Sequence, residues 1–250
     1  MTGRRTALYI AIGCLAYAAA LIATLPAPWI SAAVGRLSKQ ALLLRDPEGG
    51  GWTGSGRLYL RRRSGELLDL GMLRWNASLS STLAGKFVID FSLGDANRTV
   101  HLELSPGSAA LRSVSLDLPG EVLADIAPGL NALGPRGTLL LRSENLRIDS
   151  GEILGAADVE WRPARLAAAR GLELGSHIAK LRGGGSKIDI ELGTIEGPLR
   201  LSGGGAWTRD NGLAVSAVLE HGEGQPGMAP FLQGVCSEYR SGLCTVRIKQ

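Results

Sequence analysis

Short segments in which apolar and polar residues alternate recur along most of this 250-residue chain. The clearest are residues 57–61, 100–104, 114–118, 188–192 and 213–219, where Leu, Ile or Val occupies every second position except at Ala217. A period of two is typical of a strand with one buried and one wet face. Such strands favour antiparallel pairing. The sequence therefore predicts a mainly β fold built around an extended antiparallel sheet.

Turn and helix signals separate these segments. Asp210-Asn211-Gly212 lies between two apolar runs, and Asn-Gly accepts the positive φ angles of a tight hairpin turn. Residues 119–126 predict a short helix, which Pro128-Gly129 would end. Residues 29–44 and 164–172 are two further candidate helices.

A weak internal repeat joins a glycine-flanked strand to a later strand that ends in tryptophan. The three copies cover residues 54–75, 134–161 and 197–207. Repeated units of this kind bury their apolar face by packing against their neighbours. The pattern predicts either a curled sheet or a stack of repeat-like units.

The N-terminal segment has a different character. Arg4 and Arg5 precede residues 7–25, which are apolar and uncharged. Nineteen residues at about 1.5 Å per residue nearly span the hydrocarbon core of a bilayer, which is about 30 Å thick. Arginines flanking such a segment remain on the cytoplasmic side. This predicts a single-pass anchor at 7–25.

The alternative for this segment is a cleaved signal peptide, since Ala18-Ala19-Ala20 offers small residues at a cleavage site. The anchor is favoured because the apolar run exceeds the usual length of about 7–15 residues. It ends at Pro26 and Pro28, and Trp29 suits the headgroup layer.

The predicted organisation follows from this topology. Residues 1–6 form a cytoplasmic N-terminus, 7–25 the anchor and 26–50 a juxtamembrane connector. Residues 51–250 form a β-rich domain on the far side of the membrane. The net charge of +4 is modest, and the basic run Arg61–Arg63 has no interleaved aromatics. Nucleic acid is therefore not an expected partner.

The cysteines carry the one covalent feature that the sequence predicts. Cys236 and Cys244 are separated by seven residues that suit a hairpin. An oxidising compartment would allow a disulfide between them, and two free thiols are the alternative. A metal pair is disfavoured because no further Cys or His lies nearby.

The remaining reactive side chains lack a catalytic arrangement. The three histidines lie far apart, at His101, His177 and His221. The carboxylate pairs Asp158/Glu160 and Asp189/Glu191 alternate with apolar residues, which predicts a wet outer face for them. We expect no catalytic, cofactor-binding or metal-binding residues, no cofactor and no enzymatic activity.

Several short motifs resemble the N component of the bacterial type II secretion system. They are Leu25-Pro26-Ala27, Trp52-Thr53-Gly54, Leu73-Arg74-Trp75, residues 116–120, Gly137-Thr138-Leu139 and residues 155–164. The resemblance implies a single-pass protein of the bacterial inner membrane with a periplasmic β-rich domain. It also implies an accessory role in exporting folded proteins. The implied partners are other secretion components: the inner-membrane platform, the pseudopilus or the secretin.

A second hypothesis starts from the alternating strands. An anchored sheet with one apolar face can form a periplasmic β-groove that binds or transfers lipid acyl chains. Lipid is then a partner besides the inner membrane. The two hypotheses are distinguished by whether other elements cover the apolar faces of the strands.

Overall fold

The computed structural model describes residues 13, 17, 20, 24–78, 80–81, 85–94, 98–126, 128–168, 172–221, 228–240 and 243–249. The predicted cytoplasmic N-terminus 1–6 and most of the predicted anchor 7–25 lie outside these residues. Within the described part of the chain, no helix is both long and apolar enough to cross a membrane.

The described residues form fourteen strands, and every strand pair with a described register is antiparallel. This confirms the mainly β prediction. Contacts divide the chain into two compact units, Met1–Phe91 and Ser92–Gln250. Strand β4 begins in the first unit and ends in the second.

The first unit contains helix α1 and the first strands, which pair in chain order. Their bounds are α1 Ala27–Leu37, β1 Leu42–Gly49, β2 Thr53–Arg61, β3 Leu67–Ser78 and β4 Phe87–Leu93. Pro28 lies in the first turn of α1, where its missing N–H costs no helical hydrogen bond. The Ser31 hydroxyl donates to the Leu44 carbonyl at 2.6 Å and so ties α1 to β1.

The second unit contains ten further strands among its described residues, in the order β5 to β12, then β14, then β13. Their bounds are β5 Val100–Ser105, β6 Ser108–Pro119, β7 Pro135–Asp149, β8 Glu152–Leu166, β9 Gly175–Gly185, β10 Lys187–Glu196, β11 Leu199–Thr208, β12 Gly212–His221, β13 Glu238–Arg240 and β14 Leu243–Lys249. Helix α2 is Val122–Ile126, followed by a 3-10 helix at Pro128–Leu133, and helix α3 is Met228–Val235.

The strand and turn predictions are confirmed. Of the helix predictions, 29–44 is only partly right, and the start of 164–172 is wrong. All five alternating segments lie in strands, Asn211 lies in the turn between β11 and β12, and Gly212 has a φ of 67°. The predicted helix 29–44 ends at Leu37, because the chain bends through positive φ angles at Lys39 and Gln40 and then enters β1. Residues 164–166 belong to β8 rather than to a helix.

The internal repeat has a structural counterpart. The indole Nε1 of Trp75 donates to the Gly50 carbonyl at 3.2 Å, and Nε1 of Trp161 donates to the Arg136 carbonyl at 2.7 Å. Both bonds join residues 25 apart in sequence. Each one fastens the second strand of a hairpin to the chain near the start of its first strand: Gly50 precedes β2, and Arg136 is the second residue of β7. The first two copies therefore share a local device, one copy in each unit.

Candidate functional site

The register of the second unit aligns apolar residues across many strands. Directly opposite residues in antiparallel strands point to the same face of the sheet. Row one is Leu102, Leu111, Leu146, Gly155, Gly183, Ile188, Trp207 and Leu213. Row two is Ala157, Leu181, Ile190, Gly205 and Val215. Row three is Leu116, Leu141, Val159, Ala179, Leu192, Gly203, Ala217 and Val246.

These three rows lie on the same side of the sheet, because they are two residues apart along β8 to β12. We call this set of residues the apolar face. Many of its side chains, such as Ile190, Leu192 and Val215, are only half-buried. The face is thus apolar without being a sealed core along its length.

The opposite side of the sheet carries charge. One row passes through Ser115, Arg142, Asp158, Lys180 and Glu191, so that acidic and basic residues alternate between strands. Asp158, Asp189 and Glu191 are exposed, which agrees with the predicted wet face.

Glu160 departs from the prediction of a wet face, since it is only 8% exposed. Its carboxylate lies 2.9 Å from Nη2 of Arg162 and 3.7 Å from Nη1 of Arg142. Two guanidinium groups therefore compensate the desolvation of this carboxylate. The arrangement is an ion-pair cluster, not an acid/base pair.

The apolar face is closed at one end by helix α3. Met228 and Leu232 of α3 are fully buried together with Leu174, Leu199 and Cys244. Trp161 lies two residues after Val159 on β8, and Leu219 lies two residues after Ala217 on β12, so both are on the same side of the sheet as the apolar face. Both side chains pack against this cluster. We call it the closed end. Its side chains form a buried core in the described part of the second unit.

The predicted cysteine pair belongs to the closed end. Cys236 follows α3 and Cys244 lies in β14, and the structure joins them by a disulfide with Cα atoms 5.4 Å apart. The bond links the end of α3 to the sheet that it covers. The oxidation state of the pair in the cell stays a prediction.

The histidines remain dispersed. His177 faces the closed end, with its Nδ1 3.4 Å from the Thr194 hydroxyl, and burial lowers its pKa. A weaker opposing effect on that pKa is a hydrogen bond with the Leu174 backbone. His101 is exposed on β5, and His221 ends β12. Among the described residues, no three His, Cys, Asp or Glu side chains are grouped as metal ligands.

A cleft of about 1140 Å³ opens where strands β6 to β8 are irregular. Ser113 has a φ of 55°, and the β7–β8 register shifts between Arg142 and Leu146. Arg98 and Asp158 line the cleft, and Nη1 of Arg98 donates to the Ser115 hydroxyl at 2.5 Å. The lining offers charged and hydroxyl groups but no nucleophile activated by a neighbouring base.

Strand β14 leaves part of an edge open. It pairs with β12 along Leu243–Lys249, whereas β13 covers only Leu243, Cys244 and Thr245. Within the part of the chain that the structure describes, no strand pairs with the other side of residues 246–249. Open edges of this kind are sites where a strand from another protein can be added.

Helix α3 and the closed end were not predicted from the sequence. A signal was present, because Met228, Phe231, Leu232 and Val235 follow the helical spacing of three, four and seven residues after Pro226-Gly227. The alignment of the rows was not predictable, because register depends on bulges that the local alternation does not reveal.

The family model described as type II secretion system protein N matches residues 40–247, a range that extends from the start of β1 into β14. No curated protein and no solved structure matches the chain. The match covers most of the chain and agrees with the resemblance found in its motifs. The chain belongs to the type II secretion system protein N family.

Proposed function

We propose that this protein is an accessory inner-membrane component of the type II secretion system. It supports the export of folded proteins across the outer membrane through protein–protein contacts in the periplasm. The family match over residues 40–247 is the observation that carries this proposal. Arg4, Arg5 and the apolar residues 7–25 support an inner-membrane anchor with the sheet in the periplasm.

The open edge of β14 is the surface that we assign to a secretion partner. Backbone N–H and C=O groups on an unpaired edge bind an added strand without needing a particular side chain. The platform, the pseudopilus and the secretin are the candidate partners. The disulfide supports this assignment because it holds the start of β14 against the end of α3.

Deletion of the gene tests the role in secretion. We expect a known type II substrate to accumulate in the periplasm of the deletion strain and to reappear outside the cell on complementation. A strain that also lacks the secretin defines complete loss of export. Unchanged export in the deletion strain would contradict the proposed function.

Proline substitutions test the edge. Backbone N–H groups alternate between the two sides of a strand, so one of Val246 and Arg247 directs its N–H away from β12. Val246→Pro and Arg247→Pro therefore form a matched pair. The substitution at the residue whose N–H points away from β12 removes no hydrogen bond between β12 and β14 and should preserve the sheet. Protease resistance identifies that variant. We expect this variant to lose crosslinks to secretion components in cells. Unchanged crosslinking would show that the β14 edge does not bind them.

A further inference from the structure

Side chains of the apolar face remain partly exposed along strands β5 to β12. Exposed apolar patches on soluble monomers rarely exceed a few hundred Å², and larger ones mark binding sites. Ile148, beside row one, is 41% exposed, and side chains of all three rows are half-buried. A ligand that covers this face would remove the exposed parts of these side chains from water.

The backbone of the face argues against an added strand as the ligand. Each of β6 to β12 has a hydrogen-bonded strand on both sides. Its N–H and C=O groups are therefore engaged in the sheet. A ligand on the face must bind through side-chain contact with aliphatic groups.

The composition of the face favours an aliphatic ligand. Leu, Ile, Val, Ala and Gly make up rows one to three except for Trp207. Protein interfaces concentrate their binding energy in Trp, Tyr and Arg. The face offers almost no such anchors. Its surface matches hydrocarbon chains better than it matches a protein.

Glycines keep a part of the face free of side chains. Gly155 and Gly183 are paired in row one, and Gly205 and Gly203 occupy β11 in rows two and three. A Cβ at Gly155 would overlap the Asn145 carbonyl, and one at Gly203 would overlap the Ser216 carbonyl. These positions therefore exclude side chains, so the face carries only backbone there.

The two ends of the face differ in a way that suits an amphipathic ligand. The closed end is apolar and sealed by α3. At the other end the turns after β5, β7 and β11 lie together, because Ser150 donates its N–H to the Gly107 carbonyl at 2.9 Å and Arg209 donates to the Gly151 carbonyl at 2.7 Å. Arg209 is exposed there and provides a cationic group for a phosphate.

We propose that the apolar face binds the acyl chains of membrane phospholipid, with the phosphate directed toward the turn that carries Arg209. The predicted anchor at 7–25 would tether the protein to the bilayer that supplies this lipid. The activity is separate from the secretion role and does not depend on it.

Photocrosslinking in cells tests this with a control built into the strands. A photoreactive benzoyl-phenylalanine replaces Ile190 or Val215 on the apolar face of the full-length protein. Matched variants carry it at Glu191 or Ser216, the next residue on the same strand and on the opposite face. Cells are grown in radioactive phosphate, and label in the protein reports captured phospholipid. The anchor is the same in all four variants.

We expect several-fold more label at positions 190 and 215 than at 191 and 216. Val215→Glu combined with the probe at Ile190 should lower the label, because a carboxylate disfavours hydrocarbon on the face. Equal labelling of both faces, or capture of a protein instead of lipid at 190 and 215, would overturn the proposal. Export of a type II substrate is measured in the same strains, so that failure of lipid capture is distinguished from failure of the secretion role.

Discussion

The closed end and the apolar face are built from the same strands but differ in how they are covered. On β12, Leu219 packs against the cluster under α3, whereas Val215, four residues earlier, lies outside that cluster; both side chains are partly buried. Both positions belong to one alternating segment, 213–219. The alternation makes one side of the strand apolar, and only α3 turns that side into a core.

This contrast shows why an apolar strand face does not by itself identify a core. At the closed end, removal of a side chain leaves a cavity among tightly packed neighbours. On the apolar face, the neighbours are partly exposed, and water or a ligand can fill the space. The two regions should therefore respond differently to the same type of substitution.

Truncation of a closed-end side chain should have the largest effect. Leu232 is fully buried, so Leu232→Ala should lower the free energy of unfolding by about 3 kcal/mol. Ile190→Ala, on the apolar face, should cost about 1 kcal/mol because the side chain is only partly buried. Denaturant titration of the purified full-length protein measures both. Equal losses for the two variants would mean that the apolar face is a covered core.

Loss of the disulfide should destabilise the closed end next. The bond closes a loop between residues eight apart, and closing a loop of this size stabilises a chain by about 2–3 kcal/mol. We expect Cys236→Ala to lower the free energy of unfolding by that amount. A reducing agent should have the same effect on the wild type and none on the variant. Wild-type protein extracted from cells with two free thiols would contradict the predicted oxidised state.

Adding a methyl group should distinguish two glycines of adjacent strands. Gly155 has a φ of 112° and no space for a Cβ, so Gly155→Ala should cost about 1–3 kcal/mol. Gly184 has no heavy atom within 4 Å of a Cβ position, and Gly184→Ala should be nearly neutral. Thermal unfolding compares them. Similar unfolding temperatures would show that the β7–β8 irregularity tolerates a side chain.

The smallest effect concerns pH at the closed end. Burial lowers the folded-state pKa of His177 below its ordinary value of about 6.5, so the unfolded chain binds the proton first as pH falls. The free energy of unfolding should therefore decrease from about pH 6.5 downward and level off below the folded-state pKa. Titrations across this range should show a weaker pH dependence for His177→Gln. An unchanged pH dependence would assign the loss to other groups.

Local chemistry was enough to predict the strands, the Asn211-Gly212 turn and the short helix at 122–126. Each depends on neighbouring residues alone. Helix 29–44 was predicted too long because the chain turns through positive φ angles at Lys39 and Gln40, where no glycine or proline marks the turn in the sequence. The cysteine spacing indicated the pair, but the cluster around it joins residues from Ala164 to Cys244, which only the tertiary fold brings together.

The internal repeat could be recognised in the sequence, but the structural role of its tryptophans could not. The spacing of Gly and Trp indicated repeated units, and the indole bonds of Trp75 and Trp161 show what the first two copies have in common. The apolar face could not be predicted from the sequence, for a different reason. Its rows depend on the register of eight strands, and one bulge moves every later side chain to the other side.

The most direct test of the contrast is accessibility along β10. Spin labels are attached singly at residues 188–192, and at Leu232 for comparison, in a Cys14→Ser background of the full-length protein in lipid nanodiscs. Collisions with oxygen report contact with lipid, and collisions with a water-soluble nickel complex report contact with water. We predict that 188, 190 and 192 are accessible to oxygen, 189 and 191 to nickel, and 232 to neither. If 188, 190 and 192 are as inaccessible as 232, the apolar face is a covered core and the account is contradicted.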